Sequence, residues 1–252
     1  MPTAYAPALA GALGLILGSF FNVVIHRLPR RESVVWPRSR CPECSTAIRA
    51  LDNIPVLSYL LLRGRCRHCD APIHWRYPAV EATTAVLAVA LVLDKGVGRH
   101  LWLPAVLIAL LVPIAMIDLE RQIVPNRLTG PGAVAALLIG AAVDRHHVPE
   151  QLIAAAAAGG FLLLAALLYP KGMGMGDVKL VAMMGLFLGR DVAVALMVAL
   201  VAGTAVGAVL FARHGADARR RRVPFAPFLA LGGVVAIFAG PPVVHWYLNT
   251  FA

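Results

Sequence analysis

Long apolar runs constrain this chain more than any other feature of its sequence. Of its 252 residues, 60% are hydrophobic, which is more apolar surface than one soluble core of this size needs. A membrane-spanning helix requires about 20 mainly apolar residues. On that measure we count eight candidate spans, at about residues 5–25, 78–93, 101–117, 128–143, 151–169, 177–189, 191–212 and 225–248. The sequence therefore predicts an all-α integral membrane protein, with seven spans as the alternative if the sixth and seventh form one broken element.

The first apolar run is expected to be a retained helix. It covers Ala8 to Ile25, has no basic flank before it, and its strongest charges follow it. A cleavable signal peptide has the opposite order, with a basic segment first. We therefore divide the chain into a first transmembrane helix (1–25), a polar domain (26–77) and a transmembrane bundle (78–252).

The positive charges predict the orientation. With the N-terminus outside, 19 of the 23 Lys and Arg residues fall on the inner side and four on the outer side. Because inner loops carry the excess of Lys and Arg, this orientation is preferred. The net charge of +10 then needs no nucleic-acid partner, since a loop such as RHGADARRRR is explained by topology and anionic lipid. We expect a multi-pass protein of the bacterial inner membrane, in contact with the bilayer.

All four cysteines lie in the polar domain, as the pairs CPEC and CRHC. Cys41 and Cys44 form the first pair and Cys66 and Cys69 the second, with 21 residues between the pairs. Two such pairs are typical of a structural zinc site in which four thiolates surround the ion. A disulfide is disfavoured in a reducing cytoplasm, and a redox site needs only one pair. The sequence predicts a small zinc-ribbon-like domain on the cytoplasmic side, with His68 as a bystander.

Two aspartates at span ends are the main candidates for chemistry. Asp118 lies at the inner end of the third candidate span and Asp177 at the inner start of the sixth. An ionisable residue at membrane depth costs about 2.5–3.5 kcal/mol or more and is a functional candidate by default. The predicted topology brings both to the cytoplasmic surface, where a carboxylate pair can activate water and protonate a leaving group. A charge cluster at a helix end and an ordinary N-terminal cap remain the alternatives.

Glycines precede the second aspartate in GMGMGDVKL. Gly172, Gly174 and Gly176 occupy every second position, which does not favour a continuous helix and leaves room for a close backbone approach. We expect an extended substrate segment to lie there beside the carboxylates. Lys179, on the first turn after Asp177, either tunes that carboxylate or extends to the membrane interface.

Six motifs in order resemble the type IV prepilin peptidases, membrane aspartic peptidases with a G-x-G-D motif. They are GSFFNVVIHRLPR, the cysteine segment, WRYPAVEA, IDLERQIVPNRLT, GMGMGDVKL and VPFAPFLALG. The resemblance implies cleavage of the basic leader of type IV pilin or pseudopilin precursors, with Asp118 and Asp177 as the catalytic pair. Related proteins often have Pro-Asp where this chain has Pro125-Asn126.

The same resemblance implies a second activity. Many relatives methylate the new N-terminal amine with S-adenosylmethionine, and we expect the donor to bind at the cytoplasmic face near residues 26–77. Many of those relatives carry a glutamate where this chain has Lys171, so a peptidase without methylation is the alternative. A transporter with a structural zinc domain and a non-catalytic assembly or metal-sensing protein are the other function classes, and cleavage of a pilin-type precursor distinguishes them.

Overall fold

The computed structural model of the protein describes residues 4–169, 173–215 and 223–251. Over those three ranges the chain is helical, and its only β-structure is two isolated bridges, so the predicted all-α class is confirmed. The contacts group the chain into two compact units, Met1–Leu101 and Trp102–Ala252.

The first unit is built on two long antiparallel helices. Helix α1 covers Ala6–Arg27 and helix α3 covers Arg76–Lys95. Gly14 and Gly18 let the two backbones approach, since a Cβ built on either glycine would lie 2.6 Å from a backbone Cα of α3. Small residues four apart are a common means of packing membrane helices closely.

A polar segment connects α1 to α3. It contains two short 3-10 turns, Leu28–Arg30 and Ala50–Asn53, and the short helix α2, Leu57–Leu61. Of residues 28–75, only Cys41 and Ser58 are buried. A segment with so little apolar core needs a staple such as a metal ion to hold one conformation.

The described residues of the second unit form six α-helices. In chain order they are α4 (Trp102–Arg121), α5 (Asn126–Asp144), α6 (Val148–Leu168), α7 (Met175–Leu188), α8 (Val192–His214) and α9 (Ala226–Phe251). Helix α7 is the shortest, yet it contacts all five of the others. Its core-facing residues include Leu180, Val181 and Met184, which are at most 1% exposed. This central position explains why the helix is apolar on nearly every side.

Six stretches of the described chain are long and apolar enough to cross a membrane. They are Ala6–Arg30, Arg76–Lys95, Arg99–Arg121, Asn126–Leu168, Met175–His214 and Ala226–Thr250. Two of these stretches each contain two consecutive helices, and α7 has only 14 residues where a span needs about 17–25. Large apolar side chains such as Leu9, Ile16 and Phe161 are exposed, as expected for surfaces that face lipid. A multi-pass membrane protein is thus confirmed, while the number of spans stays a prediction.

Candidate functional site

The four cysteines of the first unit lie on two similar turns. In the first turn the Cys41 N–H donates to the Thr46 carbonyl and the Ser45 N–H donates back to the Cys41 carbonyl. Ser45 has a φ of 55°, in the left-handed region that closes such a turn. The turn brings its two thiols close enough to share one ion.

The second turn repeats the first with an offset of 25 residues. The bonds from Cys66 to Ala71 and from Asp70 to Cys66 match those of the first turn, and Asp70 has a φ of 54°. The isolated bridges Arg40–Ala47 and Arg65–Pro72 occupy equivalent positions. This internal repeat is visible in the sequence as Arg-Cys-x-x-Cys followed by Ile48 or Ile73, a signal that reading the cysteine spacing alone misses.

The geometry of the four thiols fits a tetrahedral metal ion. Their Sγ atoms all lie within 4.8 Å of one another, and those of Cys41 and Cys69 are 3.8 Å apart. Four sulfurs at about 2.3 Å from a central Zn²⁺ would be separated by about 3.8 Å. All four cysteines are free of disulfide bonds. The cluster can therefore hold a metal, whose identity the geometry does not fix.

The electrostatics of the cluster also favour a cation. Hydrogen bonds from the side chain and backbone of Thr46 lower the pKa of Cys44 to about 6. The Ala71 N–H acts in the same direction on Cys69, but burial and the neighbouring thiols outweigh it and raise the pKa of Cys69 to about 12. The pKa values of Cys44 and Cys69 are thus shifted in opposite directions, and a divalent cation would favour the thiolate at both because it binds thiolates.

An ion pair connects the second cysteine turn to the rest of the polar segment 28–75, which we call the cysteine module. Arg67 donates to Asp52, with 2.6 Å between Nη2 and Oδ1 and 3.0 Å from Nε to each carboxylate oxygen. These bonds lower the pKa of Asp52 below its usual range. His68 is exposed, and the cluster contains the four cysteines without it. The described chain thus agrees with a bystander role for His68.

In the second unit, Asp118 lies near the C-terminal end of α4. It is only 5% exposed, and its Oδ2 accepts a hydrogen bond of 3.0 Å from the Ala226 N–H. Ala226 is the first residue of α9, so a free N–H at a helix start satisfies a buried carboxylate. Sequence reasoning missed this partner, since nothing in VPFAPFLALG indicates which carboxylate its backbone would meet.

Asp177 is brought to Asp118 by the packing of α7 against the end of α4. It lies on the first turn of α7, is partly buried, and is close enough to Asp118 for their negative charges to repel. The two residues are 59 positions apart in the sequence. A partly buried pair of carboxylates in one place can hold a water molecule and share a proton.

The backbone of the glycines beside Asp177 is only partly non-helical, in contrast to the expectation from the sequence. Gly174 is extended and caps α7, but Gly176 lies within the helix. A Cβ on Gly176 would come within 2.9 Å of the Val124 Cβ, so this glycine serves close packing of the α7 start against the α4–α5 connection. Lys179 donates a hydrogen bond of 3.1 Å to the Asn126 side chain, which connects α7 to the start of α5. The expectation for Gly172 lies outside the described residues, as does that for Lys171.

Glu81 is a further buried acid that the sequence analysis overlooked. It lies in α3, is 8% exposed, and accepts a hydrogen bond of 2.7 Å from the Val56 N–H. The available signal was an acid in a predicted span, which is a functional candidate for the same reason as the two aspartates. Histidines 146 and 147 form part of a short exposed turn, where His147 pairs with Asp144.

Comparison with known proteins identifies the family. The model of the bacterial peptidase A24 N-terminal domain matches residues 12–94, and that of the type IV leader peptidase family matches residues 105–212. A prepilin leader peptidase/N-methyltransferase from Aeromonas hydrophila is 35% identical over 276 residues, covering 97% of this chain and 94% of the relative. This chain belongs to the type IV leader peptidase family.

Family members from other bacteria have similar sequence identity to this chain. Proteins with the same name are 36% identical over 273 residues in Burkholderia pseudomallei and 35% identical over 240 residues in Bacillus subtilis. They cover 96% and 94% of this chain, and it covers 88% and 95% of them. No solved structure matches the chain. The two family models meet between residues 94 and 105, where the contacts also divide this leader peptidase family member into two units.

Proposed function

We propose that this protein is a membrane aspartic peptidase that removes the leader of type IV pilin or pseudopilin precursors. The observation that carries the proposal is that Asp118, near the C-terminal end of α4, and Asp177, on the first turn of α7, are far apart in sequence but close enough for their charges to interact. Family membership supplies the substrate class, since the relatives are named prepilin leader peptidases.

The chemistry follows from two carboxyl groups that share one proton. The ionised member takes a proton from water, whose oxygen attacks the scissile carbonyl carbon. The other member donates its proton to the departing amine as the C–N bond breaks. Asp118 is held by the Ala226 N–H, and Asp177 by its place on the first turn of α7, so neither carboxylate needs to move far to reach one substrate.

The membrane arrangement is part of the proposal. With eight spans and the N-terminus outside, the α4 end and the α7 start both lie on the cytoplasmic side of the inner membrane. The concentration of 19 Lys and Arg residues on that side supports this orientation. The substrate's apolar helix would then lie in the bilayer while its basic leader remains in the cytoplasm.

We assign the metal of the cysteine module as structural Zn²⁺, held by Cys41, Cys44, Cys66 and Cys69. Four thiolates complete a tetrahedral shell, so the ion supplies stability rather than an open position for water. The near absence of buried apolar residues in 28–75 supports this role. The acidic site in the second unit performs hydrolysis without it.

We also propose that the processed N-terminus is methylated with S-adenosylmethionine. The names of the relatives include N-methyltransferase, and the bacterial peptidase A24 N-terminal domain matches residues 12–94 of this chain. Lys171 replaces an acid found in many relatives, and Lys171→Glu is the variant to try if methylation is absent.

Reconstitution tests both activities together. The purified protein in lipid vesicles is mixed with a pilin-type precursor and S-adenosylmethionine, and the product is examined by mass spectrometry. We expect a shortened product that carries one added methyl group. An uncut precursor contradicts the peptidase proposal, and a cut but unmodified product restricts the protein to cleavage.

A further inference from the structure

A large cavity lies within the first unit, between the cysteine module and the α1–α3 pair. Its volume is about 850 Å³, within the range of about 300–1,000 Å³ that is typical of small-molecule sites. It is lined by residues of both cysteine turns, by the last turns of α1 and by the first turns of α3. The catalytic aspartates are not among its lining residues, so the proposed hydrolysis does not account for it.

The helix side of the cavity presents hydrogen-bond acceptors. Glu81 accepts from the Val56 N–H and from the Ser19 side chain, and it is the buried acid of the lining. Asn22 is 3% exposed and donates through Nδ2 to the carbonyls of Gly18 and Tyr77. Its Oδ1 has no hydrogen-bond partner among the described residues. A buried acceptor left unpaired is destabilising, and a donor group of a bound molecule can satisfy it.

The module side of the cavity carries charged side chains of both signs, including the exposed acids Glu32 and Glu43, and Arg27 adds a cation on the helix side. Arg38 and Arg40 line it and are exposed, whereas Asp52 is already neutralised by Arg67. Tyr59 and Tyr77 add partly exposed aromatic rings to the wall. A cavity with a buried carboxyl group on its helix side and exposed arginines on its module side can accept a zwitterion of matching size, with its cation toward Glu81 and its carboxylate toward Arg38 and Arg40. A nucleoside phosphate would instead place its anions against the same arginines and gain nothing from Glu81.

We propose that this cavity is the binding site for S-adenosylmethionine and that Glu81 selects the positively charged sulfonium form. The inference rests on the proposed methylation and names the site and the residues that serve it. Asn22 and Glu81 accept hydrogen bonds from the donor's amino and hydroxyl groups, and Arg38 and Arg40 attract its carboxylate.

The sulfur atom of the donor loses its positive charge during the reaction. Glu81 should therefore also affect the release of the product. The lone pair of the neutral substrate amine forms the new N–C bond while the C–S bond breaks, and sulfur retains that electron pair as a neutral thioether. The methylated amine then loses one proton to solvent. The thioether product has lost the positive charge on its sulfur atom. Glu81 therefore attracts the product less than the donor, and the product leaves more readily.

Equilibrium binding to the full-length, zinc-loaded protein tests the assignment. Isothermal titration is performed with S-adenosylmethionine and with S-adenosylhomocysteine, the thioether product. We expect wild type to prefer the sulfonium form, and Glu81→Gln to lower the affinity for that form by about tenfold or more and to abolish the preference. Glutamine retains an acceptor for the Val56 N–H. Thr84→Val is the matched control, since Thr84 is a buried polar residue of α3 outside the cavity lining, and we expect its affinities to stay within about twofold.

A second variant covers the case in which Glu81→Gln lowers the unfolding temperature or the zinc content. Arg38→Glu changes an exposed side chain, and we expect it to lower the affinity for S-adenosylmethionine by about fivefold, because the attraction for the carboxylate is lost.

If wild type methylates the processed substrate and both variants bind the donor as wild type does, the site assignment is wrong while the proposed function stands. If ATP competes with S-adenosylmethionine at equal concentration, the charge argument is wrong. If wild type neither binds the donor nor methylates, the proposed methylation fails and this inference fails with it.

Discussion

The cysteine module and the aspartate pair achieve fixed geometry by different means. The module brings four ligands from a stretch of 29 residues, with two similar turns and almost no buried apolar side chain. The aspartate pair uses two residues from separate helices, surrounded by fully buried side chains such as Ile114, Ile117 and Leu180. In the proposed function a metal ion takes the place of a core in the first region, whereas helix packing positions the two carboxylates in the second. Perturbing the ion and perturbing the packing should therefore have separable effects.

Removal of either carboxylate should have the largest effect. We expect Asp118→Asn and Asp177→Asn each to lower the cleavage rate by about 10²–10⁴-fold or more, because asparagine keeps the shape and removes the proton transfer. The measurement is cleavage of a pilin-type precursor in lipid vesicles. Zinc content and unfolding temperature should remain those of wild type. Near-native turnover in either variant would contradict the assignment of Asp118 and Asp177 as the catalytic pair.

Removal of a thiolate should act on the other region. We expect Cys41→Ser and Cys66→Ser to lose the bound zinc and to increase proteolysis of residues 26–77, since structural zinc contributes folding free energy directly. Metal analysis and limited proteolysis measure the two effects. His68→Ala is the matched control within the second turn and should retain the metal, because His68 is exposed and outside the thiol cluster. Protein purified under reducing conditions without any bound zinc would contradict the assignment.

Packing of the helix pair beneath the module can be tested at Gly18. A Cβ there would lie 2.6 Å from the Glu81 Cα, so we expect Gly18→Ala to destabilise the first unit by about 1–3 kcal/mol. The unfolding temperature of the protein in detergent is the measurement. Gly160→Ala is the control, because Gly160 lies within α6 with no atom within 4 Å of the added Cβ. It should be neutral or stabilising by up to about 1 kcal/mol. Equal effects at both positions would refute close packing as the role of Gly18.

The smallest effect is expected at the ion pair of the module. Arg67 holds the pKa of Asp52 below its usual value of about 3.9, so the pair stabilises the module at neutral pH and this contribution is lost only as the pH falls below that value. Asp52→Asn should weaken apparent zinc affinity at pH 7 by less than about tenfold, because the Arg67 side chain is 51% exposed and water screens the interaction. Glu43→Gln, an exposed acid in the first turn, is the control. If Asp52→Asn and this control bind zinc with the same affinity, the ion pair makes no contribution to zinc binding.

The sequence predicted well what depends on short stretches of chain. The eight long helices of the described residues lie within a few residues of the eight predicted apolar runs, since each run carries its own hydropathy signal. The grouping of Cys41, Cys44, Cys66 and Cys69 was likewise expected, because each pair needs only one local turn. The helical place of Gly176 was not, since its contact with Val124 depends on how two distant segments pack.

What the sequence determined by itself is therefore the membrane class, the helical runs, the cysteine cluster and the two aspartates as candidates. Only the tertiary structure decided which groups meet: Asp118 with the Ala226 N–H over a separation of 108 residues, and Asn22 and Glu81 beside one cavity. The physical reason is that hydropathy and turn geometry are properties of consecutive residues. Contacts between helices depend on the shapes of both surfaces, such as the close approach at Gly14 and Gly18, and no single segment contains that information.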